Sequence, residues 1–227
     1  MTVGRDRHAW AASPCADGEQ EPAVGPWLRF WLCVWALVLV GALGALWKYK
    51  LTPGAAATVV ERWPAGSALT HSTKGPTLIM FAHPRCPCTR ASLAELRSVM
   101  SSFAGKLTAE VVFFDAGSGA GFSPTDTTDA ARTISGVVVT SDPGGREAHR
   151  FGATTSGHVV LYDAGGLLRF SGGITPARGH QGDSPGKRRL LEQLAQSSTR
   201  EGAERRDSLG VSQHSSSVYG CSIEEQR

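Results

Sequence analysis

The segment Phe81-Ala82-His83-Pro84-Arg85-Cys86-Pro87-Cys88-Thr89-Arg90 places two thiols one residue apart. An apolar run, Thr77 to Met80, precedes them, and a stretch with helical spacing follows. A strand feeding a helix at that point puts Cys86 and Cys88 in the positive field of a helix N-terminus, which favours thiolate over thiol. Such a pair suits disulfide exchange or the binding of a soft metal. Pro87 stiffens the spacer, Arg85 adds positive charge beside Cys86, and strand-to-helix junctions usually lie at the surface. The competing reading makes both cysteines small, inert core residues, and it leaves those three features without a purpose.

Little else in the composition suggests chemistry. The net charge of +3 is too small to imply a nucleic-acid partner, and no basic cluster is interleaved with aromatics. There is no phosphate-cradling glycine loop, no Ser-His-Asp ordering and no paired-carboxylate signature; Asp115 reads as a loop cap. Of the five cysteines, Cys15, Cys33 and Cys221 are scattered, and a disulfide scaffold is excluded. No cofactor is expected.

Phe30 to Trp47 runs eighteen residues without a charge. As a helix it would span about 27 Å, close to the hydrocarbon thickness of a bilayer. Trp27 and Trp31 near one end, and Trp47 and Tyr49 at the other, suit the two interfaces, and Lys48 and Lys50 close the span. The run is apolar on every face, so the membrane lipid bilayer is the expected partner of residues 27–50. A cleaved signal peptide is the weaker alternative, because the preceding segment is long and small residues are lacking at a cleavage point. Arg29 on one side stands against Lys48, Lys50 and Arg62 on the other, which leaves orientation open.

Residues 1–26 are polar and aperiodic and read as a disordered tail, and 51–75 as a tether and lead-in. Regular patterning occupies 76–197. Strands are expected at Thr77–Ala82, Thr108–Asp115, Gly136–Thr140, Gly157–Asp163 and Leu167–Ser171, the last two joined as a hairpin through Ala164-Gly165-Gly166. Helices are expected at Cys88–Phe103, from a Ser123-Pro124 start to about Ile134, over a short turn at Gly144–Phe151, and at Gly186–Gln196. This order predicts an α/β fold: a mixed sheet flanked by helices. Residues 198–227, rich in serine and charge, read as a disordered tail.

That order, with a cysteine pair after the first strand of the regular domain, resembles the thioredoxin fold. Phe81, Pro84, Arg85, Cys86 and Cys88 match its active-site sequence with one residue missing between the cysteines. The stretch from Asp142-Pro143-Gly144 to Phe151-Gly152, with GHVVLYDAGGLLRFSGG, looks like membrane-tethered bacterial thioredoxin-like and peroxiredoxin-like proteins. HPRCPCTRAS together with SGGITPARGHQGDSPG is closer to a small bacterial group labelled RedB-like, which carry one N-terminal anchor; the terminal VYGCS is a shorter match to the same group. The resemblance covers roughly residues 60–197. It implies a single-pass membrane protein with its domain on the periplasmic side and a partner protein for redox exchange. It also implies a cis-proline beside the cysteine pair, where this chain has Gly157, which does not enforce a cis bond.

Three functions follow. In thiol-disulfide exchange, Cys86, nearer the turn and next to Arg85, is the expected nucleophile and Cys88 the resolving thiol; a bridge over one residue is strained and easily reduced. In Cu(I) binding, Cys86 and Cys88 are joined by His83, His180 or Cys221. A non-catalytic module is the third, supported by the missing cis-proline. Arg178 and His180 are secondary candidates for tuning Cys86 or binding an anion, though their segment also reads as a turn in which Asp183 and Ser184 cap the last helix.

Overall fold

The computed structural model describes residues 25–55, 58, 60–117, 125–197 and 215–224. The described residues fall into two units, divided between Ala45 and Leu46. Helix α1 (Pro26–Leu51) has no buried residue and is long and apolar enough to cross a membrane. At 26 residues it extends about 39 Å.

The second unit is built on five strands, β1 (Thr77–Ala82), β2 (Thr108–Asp115), β3 (Val137–Pro143), β4 (His158–Tyr162) and β5 (Leu168–Gly172). Their spatial order is β3-β2-β1-β4-β5. β1 pairs parallel with β2 and antiparallel with β4, so the mixed sheet expected from the element order is present. Central position explains the composition of β1. All six of its residues are buried because both faces of the strand are covered.

The covers are set by alternation along the strands. Leu78, Met80, Val111, Phe113 and Val159 meet Leu93, Leu96 and Val99 of α2 (Pro87–Ser102) and Leu190 and Leu194 of α5 (Pro185–Ser197). The opposite face presents Ile79, Phe81, Val112, Val160 and Tyr162 to Phe151, Trp63 and Ile223. Trp63, in the lead-in, contacts Phe151 and Tyr162 edge to face at 5.1 and 5.4 Å, and its N–H donates to Gly166 O. The hairpin turn is held by Asp163, whose carboxylate accepts from Gly165 N–H, Leu167 N–H and Arg169. Asp115 accepts from Gly117 N–H as a loop cap.

Two boundaries differ from the sequence reading. Ser123 and Pro124 lie outside the described residues, and α3 (Asp126–Arg132) is capped by Thr125, which exchanges side-chain and backbone bonds with Thr128. Strand β3 runs on to Pro143 because its pairing with β2 continues to Asp115. The short helix α4 (Arg146–Arg150) follows, with its first amides bonded to Asp142.

The larger correction concerns the C-terminal tail. Residues 198–214 and 225–227 lie outside the described residues, but 215–224 form a strap across the domain. Ser216 N–H donates to Ser171 O, Gly54 N–H to Val218 O, Ser156 N–H to Cys221 O and Ile223 N–H to Thr154 O. The strap's own Val218 and Ile223 are buried. The sequence shows charge and serine around this strap; it is held mainly by backbone bonds and two apolar anchors, which leave no periodic signal.

Candidate redox site

The site lies where the C-terminal end of β1 meets α2. Cys86 is the N-cap residue, with extended backbone, and Pro87 opens the helix, one residue before the start expected at Cys88. The turn from His83 to Cys86 is closed by Cys86 N–H donating to His83 O and braced on three sides. Ser156 Oγ accepts from His83 N–H, Thr89 Oγ1 donates to His83 O, and Thr127 Oγ1 donates to Pro84 O. Thr89 and Ser156 are themselves joined, side chain to side chain, at 3.0 Å. The loop carrying Ser156 is thereby fixed against the cysteine turn.

Gly157 sits beside this turn with a trans peptide bond; the described residues contain no cis peptide. Its φ is +88°, a conformation glycine adopts without strain, and a Cβ there would meet Ser92 Oγ at 2.7 Å. Glycine thus brings the loop close to α2 while Gly157 N–H donates to Phe81 O. The loop position is kept without a cis-proline.

Cys86 and Cys88 are joined by a third cysteine. The sulfurs of Cys86, Cys88 and Cys221 all lie within 4.8 Å of one another, and Cys86 and Cys221 Sγ are 3.0 Å apart. This overturns the expectation of an exposed pair with Cys86 outermost: Cys86 is 1% exposed and Cys88 8%. Cys221, on the strap, lies against both sulfurs.

The electrostatics distinguish the three. A hydrogen bond from the Cys88 thiol pulls Cys86 down to about 4, against the opposing effect of burial, helped by the Cys221 thiol and by the backbone N–H groups of Cys221 and Cys88. Cys86 is therefore held toward the thiolate form. Cys88 moves the other way, first because its proton is shared with Cys86, then through burial and the charge of its neighbours; the Arg178 charge opposes this. One sulfur carries the charge and another holds the proton.

The remaining sequence candidates are placed as follows. Arg85 is exposed beside the turn. His83 is buried, stacks on Phe114 at 5.7 Å and accepts from Arg85 N–H at Nδ1; burial lowers its basicity, partly offset by the Cys86 charge. His83 is not among the converging ligand atoms, so the cluster closes on Cys221 in its place. His180 is exposed in a turn, its N–H donating to Ala177 O, and does not join the sulfurs either. Arg178 acts on the strap, where its guanidinium donates to Gly220 O and holds the backbone next to Cys221. Ser184 caps α5 by accepting from Lys187 N–H.

No family model and no curated protein matches the chain. Solved structures do. A hypothetical protein from Sinorhizobium meliloti matches with 19% identity over 77% of this chain and 95% of its own, at a TM-score of 0.53. An uncharacterized conserved protein from Geobacillus kaustophilus matches with 14% identity over 78% of this chain and 93% of its own, at 0.51. Likeness at these identities is one of fold. A thioredoxin-like protein in the oxidized form also matches, more loosely, with 16% identity over 66% of this chain and 99% of its own, at 0.41. The strand order, the flanking helices and the terminal hairpin and helix of residues 46–227 are those of the thioredoxin-like fold.

Proposed function

We propose that the domain carries out thiol-disulfide exchange with Cys86 as nucleophile. The observation that supports this is the convergence of two thiols and two backbone N–H groups on one sulfur at the start of a helix, which holds it as thiolate. That thiolate attacks one sulfur of a partner's disulfide, forming a mixed disulfide and expelling the other sulfur as thiolate. The braced turn at His83–Cys86 fixes the direction of attack. On this reading α1 anchors the chain in a lipid bilayer, with the domain on the extracytoplasmic side where disulfides persist. The partner is a redox protein, and no nucleic acid is involved. The test is equilibration of the full chain with reduced and oxidised glutathione, followed by mass mapping. A disulfide at Cys86 that disappears in Cys86→Ser is expected; an unmodified Cys86 across the whole range of buffers sinks the reading.

The three sulfurs favour a second reading, Cu(I) binding. A metal–thiolate distance of about 2.3 Å in a trigonal site separates sulfurs by about 4 Å. The observed cluster, all within 4.8 Å, fits with a small opening of the Cys86–Cys221 pair. Cys86, Cys88 and Cys221 would hold the ion, soft donors for a soft cation. Anaerobic Cu(I) titration of the reduced chain against a competing chelator tests it: one tightly held equivalent, lost in the Cys86→Ser/Cys88→Ser variant, supports the metal reading.

A further inference from the structure

We infer that Cys221, carried by the C-terminal strap, is the resolving thiol of this site, and that the strap's return to its seat is the step that releases the partner. The inference rests on the exchange reading above and changes its second half, in which the sequence assigned resolution to Cys88.

Cys221 Sγ is 3.0 Å from Cys86 Sγ, and the strap keeps it there by a defined register. Ser156 N–H donates to Cys221 O at 2.8 Å, Ile223 N–H to Thr154 O at 2.9 Å, and Thr155 pairs antiparallel with Ser222. Arg178 fixes Gly220 O from the other side, and the buried Ile223 anchors the end in the core under β4. Cys88 is placed differently. Its sulfur lies within 4.8 Å of Cys86 Sγ, against 3.0 Å for Cys221, and a bridge between them would have to close over the single residue Pro87, which opens the helix. Its thiol serves Cys86 as a hydrogen-bond donor.

The strap also controls access. With it seated, Cys86 is 1% exposed, so an incoming disulfide reaches the sulfur only after the strap has lifted. Cys221 belongs to the same chain as Cys86, so a lifted strap remains attached. The cycle then balances. Cys86 thiolate attacks a protein or peptide disulfide R–S–S–R′, giving Cys86–S–S–R and R′–S⁻, which takes a proton from solvent. The strap reseats, and Cys221 sulfur attacks Cys86 Sγ. The Cys86–R bond breaks, the Cys86–Cys221 bond forms, and the Cys221 proton leaves with R–SH. The partner disulfide is reduced by two electrons and the enzyme's two thiols are oxidised to one disulfide. The same movement that forms the bond fills the space R occupied.

The experiment compares the full-length protein with Cys88→Ser and Cys221→Ser variants in glutathione buffers, acid-quenched, alkylated and mapped by peptide mass. The expected bridge joins the Cys86 and Cys221 peptides in both wild type and Cys88→Ser. Cys221→Ser is expected to accumulate Cys86–glutathione that decays at least tenfold more slowly than in wild type. A Cys86–Cys88 bridge in wild type overturns the inference while leaving exchange intact, as does loss of glutathione from Cys221→Ser at the wild-type rate. Absence of any disulfide at Cys86 in all three proteins removes the exchange reading itself, and the inference with it.

Discussion

Gly220→Ala separates the seating of the strap from the chemistry of the cysteines. Gly220 is not held at a positive φ, so alanine suits its backbone; the difficulty is contact. The new Cβ would lie 1.9 Å from Ser156 O and 2.9 Å from its carbonyl carbon, against a closest real approach of 3.0 Å. The strap must therefore retreat by about 1 Å at this point. That displacement breaks the 2.8 Å bond from Ser156 N–H to Cys221 O and disturbs the Arg178 bond to Gly220 O. At about 1 kcal/mol for each bond, the seated state loses about 2 kcal/mol, or roughly thirtyfold in population. The Cys86–Cys221 disulfide forms only in that state, so its equilibrium constant against glutathione should fall by up to the same factor, the full thirtyfold applying where the reduced strap spends most of its time lifted. Quantitative alkylation after redox equilibration reads the change directly. An unchanged equilibrium constant, with the fold intact by circular dichroism, would refute the claim that seating places Cys221.

Three further outcomes are expected. Cys88→Ala removes the first of the donors that hold Cys86 as thiolate; a charge-assisted bond of about 1.5–3 kcal/mol corresponds to an inflection about one to two pH units higher in the rate of Cys86 alkylation, followed by peptide mass. His158 is fully buried, bonded through Nε2 to Ser171, and burial lowers it to about 4. The unfolded chain takes up this proton near pH 6.5 and the folded chain only near 4. Stability from this group is thus complete above pH 6.5 and falls, by about 3 kcal/mol in total, as pH drops to 4. Urea unfolding at pH 7.5 and 4.5 should show the loss, and His158→Gln should remove that part of it; parallel pH profiles for the two proteins would refute the assignment. Gly157→Ala forces a Cβ onto Ser92 Oγ at φ +88° and should cost about 1–3 kcal/mol in chemical denaturation, with Ser92→Ala relieving the contact but not the backbone strain.

The elements that can be read from the sequence are those governed by local physics. The unbroken apolar run of β1, the spacing of Leu93, Leu96 and Val99 on α2, and the Ala164-Gly165-Gly166 turn each announce their element within a few residues. The N-terminal position of Cys86 and Cys88 on a helix is legible for the same reason. The third sulfur is not. Cys221 lies 135 residues along the chain from Cys86, in a segment whose composition is that of solvent-exposed chain. Its clues are faint: Val218, Gly220 and Ile223 around the cysteine, two apolar anchors and one residue without a side chain. The burial of Cys86 escapes a local reading on the same account, since the segment that lies against it is remote in sequence. The Thr125 cap is hidden because Ser123-Pro124 offers a stronger local signal than the Thr125–Thr128 exchange that closes the helix.

The ends of the folded unit also answer a problem posed by β5, the last strand of the sheet. Its outer rim would otherwise offer unpaired amides and carbonyls to a second molecule. Arg62 bridges to Leu167, Leu168 N–H donates to Glu61 O, and at the far end Ser216 N–H takes Ser171 O. The lead-in and the strap clasp that rim from both ends. A chain cut short before Ser215 would lose half of this cover and gain a sticky margin, so insolubility after truncation would report an uncapped sheet rather than a failed fold.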